Sequence, residues 1–117
     1  MLFRSANPQK SERANELLEK AVKEIGLNGE LLDTRARIKI AARQFDAAER
    51  DLLQALSQEK TPLRMFHLAL AMQSQTPART DEAAAQFKNA KAKGLKEQSV
   101  HPADIALYRT LMKAEEK

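Results

Sequence analysis

The stretch FDAAERDLLQAL, residues 45–56, contains a pattern of small, large and small apolar residues at Ala48, Leu52 and Ala55. The same pattern occurs 34 residues earlier at Ala14, Leu18 and Ala21, and 35 residues later at Ala83, Phe87 and Ala90. Residues at this spacing share one helix face, where alanines let a neighbouring helix approach closely and the large side chain fills the groove. A repeat of this length predicts a solenoid, because each unit is too small to bury its apolar face alone.

With Phe45 ahead of this pattern and an earlier helix carrying Ala36, the unit resembles the tetratricopeptide repeat (TPR), a helix-turn-helix of about 34 residues. The matching residues are Leu32, Ala36, Phe45, Ala48, Leu52 and Ala55 in one unit, and Met65, Leu68, Ala69, Met72, Ala83, Phe87 and Ala90 in the next. Arg35 and Lys39 depart from the family pattern, since those positions are usually apolar or aromatic. The resemblance implies an all-α fold, namely an α-α superhelix. We expect a right-handed TPR-like solenoid of about two and a half repeats, followed by a C-terminal capping helix.

The repeat pattern divides residues 1–117, a single TPR-like domain, into units. The predicted boundaries are 1–29 for a partial repeat, 30–61 and 62–97 for two repeats, and 101–114 for the capping helix. Helices are predicted over residues 11–25, 30–42, 46–59, 62–74, 80–93 and 103–114, with Ser11 and Thr61 as N-caps. Residues 1–4 align with the end of a first helix, so we expect the chain to begin within a repeat of a longer protein.

The resemblance also predicts a binding surface, because the first helices of successive TPR units line a concave groove. Transfer of the groove positions gives Glu30, Asp33, Arg37, Ile40 and Ala41 from the second unit, and Leu63, Phe66, Leu70, Gln73 and Ser74 from the third, with His67 on or beside this face. Apolar residues beside charged ones would suit an extended or helical segment with an apolar anchor. The resemblance therefore implies a non-catalytic interaction or scaffold module whose partner is a peptide or another protein. The lysines and asparagines of the family's chaperone-tail clamp are not reproduced.

The sequence offers no constellation that points to an enzyme. It has no cysteine and no glycine-rich phosphate loop, and its two histidines, His67 and His101, are 34 residues apart in different predicted elements. No nucleophile stands with a base at a recognisable spacing. We therefore predict no catalytic residues, no metal site and no cofactor.

The N-terminal sequence and the apolar runs bear on membranes and compartment. MLFRSANPQK has no apolar segment of the signal-peptide kind, and no apolar run approaches the roughly 18 residues of a membrane span. We expect a soluble chain without membrane insertion. The compartment stays open, with the cytoplasm favoured over the periplasm.

Charge leaves two alternative functions. Lysine and arginine number 20 against 16 acidic residues, and much of the excess lies in the second half of the chain. Weak nucleic-acid binding through these basic helices is one alternative, and the small net charge and scarce aromatic residues argue against it. Strong salt dependence would favour it, and peptide binding retained at high salt would favour the groove. The second alternative is a purely structural terminal segment of a longer repeat protein that self-associates, for example as a homodimer.

Overall fold

The structure, a computed structural model, describes residues 8–115, with side chains from residue 12 to residue 113. Its six described α-helices are α1 (Pro8–Ile25), α2 (Gly29–Ala41), α3 (Phe45–Gln58), α4 (Pro62–Gln73), α5 (Thr80–Ala92) and α6 (Ile105–Glu115), and two short 3-10 turns, Glu97–Ser99 and Pro102–Asp104, precede α6. No strand occurs among these residues, which confirms the predicted all-α class. The helix end predicted for residues 1–4 lies outside the described residues.

The helices pack mainly against their neighbours along the chain. The most extensive contacts join α2 to α3 and α4 to α5, and α3 also packs on α4. α2 touches α4 directly, so the first helices of these two pairs are neighbours. α1 and α6 join this four-helix body through smaller contacts with α2 and α5, respectively.

The repeated triplets form the core of both helix pairs. Ala48, Leu52, Ala55, Ala83, Phe87 and Ala90 are all fully buried. In α1 only Leu18 is buried, while Ala14 and Ala21 stay half-buried. The spacing thus identifies the inward face in every unit, but burial is incomplete in α1 because that helix packs chiefly against α2 alone.

Of the two predicted N-caps, Thr61 is confirmed and Ser11 is wrong. Thr61 Oγ1 accepts a hydrogen bond from the Arg64 backbone N–H at 3.2 Å, which confirms Thr61 as the N-cap of α4. His101 Nδ1 accepts from the Ala103 backbone N–H at 3.1 Å in the turn before α6. Ser11 is not an N-cap, because α1 already begins at Pro8, where the missing proline N–H has no helical partner to lose.

Gly29 shows a packing requirement that its sequence context does not reveal. It is the first residue of α2 and is buried. A β-carbon at this position would lie 2.7 Å from Nη2 of Arg64 and 2.9 Å from its Cζ. Arg64 Nη1 in turn donates to the backbone carbonyls of Ala55 at 3.1 Å and Glu59 at 2.9 Å. Glycine therefore leaves room for a guanidinium that satisfies carbonyl groups at the end of α3.

Candidate binding surface

The structure divides the predicted groove residues into a buried group and an accessible group. Ile40, Phe66, His67 and Leu70 are buried, with 6%, 0%, 3% and 4% exposure. Glu30 and Arg37 are exposed, and Asp33, Ala41, Leu63, Gln73 and Ser74 are half-buried. The expectation of an apolar anchor at Ile40, Phe66 and Leu70 is therefore corrected, since these side chains belong to the core and only Leu63 remains partly accessible.

Aromatic rings of α5 and α6 enclose Phe66. Its ring centroid lies 6.0 Å from that of Tyr108 in α6 and 6.2 Å from that of Phe87 in α5. The Phe87 and Tyr108 rings meet edge to face at 5.1 Å, one of the arrangements that aromatic pairs favour. The available signal was the composition of α4, because a helix that is apolar on all sides is a buried helix.

A hydrogen bond between α2 and α4 explains the position of His67. Its Nδ1 lies 2.7 Å from Oδ1 of Asp33, and the two side chains are 3% and 18% exposed. A buried polar ring needs such a partner, because desolvation without a hydrogen bond is costly. His67 therefore orients Asp33 at the edge of the accessible surface, and it is not itself the ligand contact that the sequence suggested.

An ion pair connects α2 to the turn before α6. Arg37 Nη2 and Asp104 Oδ2 are 3.8 Å apart, and their side chains are 45% and 20% exposed. Together with the α2–α4 contact, this pair brings three elements to one accessible surface. We name it the α2–α4–α6 surface, after α2, α4 and the turn that leads into α6, and it comprises Glu30, Asp33, Arg37, Leu63, Gln73 and Asp104.

A buried charge explains the two departures from the family pattern. Asp51 of α3 is 5% exposed and accepts hydrogen bonds from Arg35 Nε at 2.9 Å and Arg35 Nη2 at 2.8 Å. Lys39 Nζ lies 2.9 Å from Asp51 Oδ2, the oxygen that also accepts from Arg35 Nε. Burial acts to raise the pKa of Asp51, but the hydrogen bonds from Arg35 and Lys39 outweigh it, so that its pKa lies below the ordinary value. Arg35 and Lys39 are therefore structural cations.

Ion pairing also removes cations from the basic second half of the chain. Arg79 pairs with Glu49 and with Glu82, and Gln75 Nε2 donates to the same Glu49 carboxylate at 2.7 Å. Arg109 Nε likewise lies 2.7 Å from Oε1 of Glu97. Cations that are neutralised by carboxylates contribute less to phosphate binding, which weakens the case for a nucleic-acid surface there.

A separate concave region lies between α3, α4 and α5. Its volume is about 330 Å³, and its apolar lining comes from Leu53, Leu56, Met65 and Leu68. Lys60 stands among its polar lining residues. One lysine beside an apolar lining does not define the chemistry of a ligand.

Neither a metal centre nor a membrane span is present in the part of the chain that the structure describes. Within residues 8–115, no three histidine or carboxylate side chains come together as a metal-binding group. Among the described helices, none has both the length and the apolar character needed to cross a membrane. Comparison with known proteins identifies no family, because no family model, curated protein or solved structure is significantly similar to this chain.

Proposed function

We propose that this chain is a TPR-like helical-repeat module that binds an extended segment of a partner protein on the α2–α4–α6 surface, without catalysis. The proposal rests on the direct contact between α2 and α4, the first helices of two pairs whose repeated triplets are equally buried. This arrangement puts equivalent helices side by side, as a solenoid requires. The ion pair between Arg37 and Asp104 extends the same surface towards α6.

The accessible side chains define the chemistry of the partner. Glu30, Asp33 and Asp104 supply carboxylates, Arg37 supplies the one cation of this surface, and Leu63 offers a limited apolar contact. Buried Phe66 cannot serve as an anchor pocket. A segment rich in polar and basic side chains therefore fits this surface better than one led by a large apolar residue.

A displayed library of random peptides tests this proposal without a known partner. Peptides are selected on the wild-type protein and then tested on a Glu30→Lys/Arg37→Glu variant, which keeps the net charge and changes only exposed positions of α2. The matched control is Arg50→Glu/Glu59→Lys, an equivalent exchange at exposed positions of α3 and its C-cap. We expect selected peptides to lose at least about tenfold in affinity on the first variant, roughly 1.4 kcal/mol.

The same experiment contradicts the proposal under two outcomes. If no peptide is enriched over a library passed through matrix alone, the surface does not recognise peptides. If both double variants weaken binding equally, the peptides respond to general charge and the site is not on α2. Circular dichroism of each variant shows that a loss of binding does not come from unfolding.

A further inference from the structure

Helix α1 carries an apolar strip that the described part of the molecule leaves uncovered. Leu17 and Ile25 are 59% and 68% exposed, more than any other large apolar side chain described. With the half-buried Ala14 and Ala21, they follow one side of the helix, because residues three, four, seven and eleven apart share a face. Leu18 lies next to this strip, about 20° around the helix from Ile25, and is buried towards the body of the protein, so Ala14 and Ala21 stand between the inward and the exposed side of α1.

The other end of the molecule is different. The outer positions of α6, Ala106, Arg109, Thr110 and Lys113, are exposed at helical spacing and form a largely polar face. An apolar strip on α1 therefore has no apolar counterpart on α6. This difference argues against head-to-tail stacking of copies and favours contact between like ends.

Charges beside the strip select an orientation. Arg13, Glu16, Lys20 and Glu24 flank Leu17 on the side away from Leu18, at about 100° per residue. All four are exposed, and none has an ion-pair partner among the described residues. Their charges alternate along the helix as positive, negative, positive, negative. When a second copy of the helix runs in the opposite direction, each positive side chain therefore meets a negative one.

We propose that the α1 strip binds the α1 strip of a second copy of this chain, with the two helices antiparallel. A two-fold axis beside residues 18 and 19 sets residue 13 against residue 24 of the second copy, so that Arg13 meets Glu24. Glu16 comes within one residue of a position opposite Lys20. Leu17 then comes within one residue of a position opposite Ala21, and Ile25 within two residues of a position opposite Ala14, so each large side chain packs near a small one. A parallel pair would put the two charged flanks on opposite sides of the pair, where the charges do not meet.

The size of the strip determines the strength of the association. One side of an 18-residue helix is smaller than the roughly 800 Å² per partner of a standard interface. We therefore expect a weak, reversible dimer with a dissociation constant between about 1 µM and 1 mM.

Sedimentation equilibrium of the full chain over a wide concentration range tests this dimer. Leu17→Ser/Ile25→Ser alters only exposed side chains and is expected to weaken association at least about tenfold. Leu53→Ser, at a 50% exposed leucine of α3, is the matched control and leaves association unchanged. Arg13→Glu weakens association, because the new carboxylate at residue 13 of each copy then lies opposite Glu24 of the other. The double exchange Arg13→Glu/Glu24→Arg restores opposite charges at these positions and restores association.

Three results overturn the inference. A wild-type chain that stays monomeric at millimolar concentration shows that the strip has no self-affinity or is covered by another segment. Association that Leu53→Ser removes, and that Leu17→Ser/Ile25→Ser does not, places the interface elsewhere. Failure of the charge exchange at residues 13 and 24 to restore association excludes the antiparallel orientation.

Discussion

Replacement of the buried carboxylate by an amide, Asp51→Asn, should destabilise the fold by leaving two cations without their counter-ion. Asp51 is 5% exposed, while the side chains of Arg35 and Lys39 are 32% and 25% exposed. Removing one partner of a fully buried ion pair costs about 3–5 kcal/mol. Because solvent screens both cations in part, we expect a loss of about 2–3 kcal/mol in the free energy of unfolding. A domain of this size has a total of about 5–15 kcal/mol, so the loss is readily measured.

The effect should depend on pH in a definite direction. The folded-state pKa of Asp51 lies below its ordinary value of about 3.9. Its contribution to stability is therefore complete above that value and is lost as the pH falls through the folded-state pKa. Urea unfolding, followed by far-UV circular dichroism, should show a full difference between wild type and Asp51→Asn at neutral pH. The difference should shrink in acid below about pH 4.

Two comparisons can refute this reasoning. Glu59→Gln neutralises an exposed carboxylate at the C-cap of α3 and should cost less than about 0.5 kcal/mol. If Asp51→Asn costs no more than this control, or if its cost does not decrease in acid, the buried charge is not stabilised by its partners as described. Replacing Arg35, Lys39 and Asp51 together by leucine should return stability to within about 1–2 kcal/mol of wild type, because apolar residues can replace a buried ion pair.

Two further substitutions test the packing around the candidate surface, again by urea unfolding. Gly29→Ala should cost about 1–3 kcal/mol, because its β-carbon displaces the Arg64 guanidinium from two carbonyls, and the cost should disappear in an Arg64→Met background. An equal cost in both backgrounds would show that the guanidinium is not the obstacle. Phe66→Ala should cost about 3–5 kcal/mol, since the ring is fully buried, whereas the half-exposed Leu53→Ala should cost less than about 1 kcal/mol. A Phe66→Ala protein of unchanged stability would restore Phe66 as a groove residue.

The positions of the helices were predictable because their signals are local. The triplet at Ala48, Leu52 and Ala55 identifies an inward face by its spacing alone. Thr61 and Pro62 mark a helix start through capping and a missing donor, which act within one turn. Such features depend on residues close in sequence, so tertiary packing did not override them here.

The candidate surface was predicted less well because its residues depend on distant partners. Phe66 has the spacing of a groove residue, but Phe87 of α5 and Tyr108 of α6 pack against it, and nothing near Phe66 in the sequence indicates where α6 packs. The charge of Arg35 at a position that is usually apolar has no local explanation, because its partner Asp51 belongs to the next helix, α3. Positions on a helix face could be transferred from the family resemblance, but the exposure of each side chain required the whole packing.

Burial of α4 also changes how the possible ligands can be distinguished. Residues 64–72 are all buried, so Phe66 and Leu70 offer no apolar floor to a ligand on the α2–α4–α6 surface. Affinity for a peptide must then come from Arg37 and the carboxylates around it, which are partly exposed and therefore sensitive to salt. Salt dependence therefore does not distinguish peptide binding from nucleic-acid binding on this surface. It would distinguish them only if the peptide bound in an apolar groove. The sign of the charge separates them: Arg37→Glu should weaken a polyanion and any peptide that pairs with Arg37, whereas Glu30→Lys should strengthen only the polyanion.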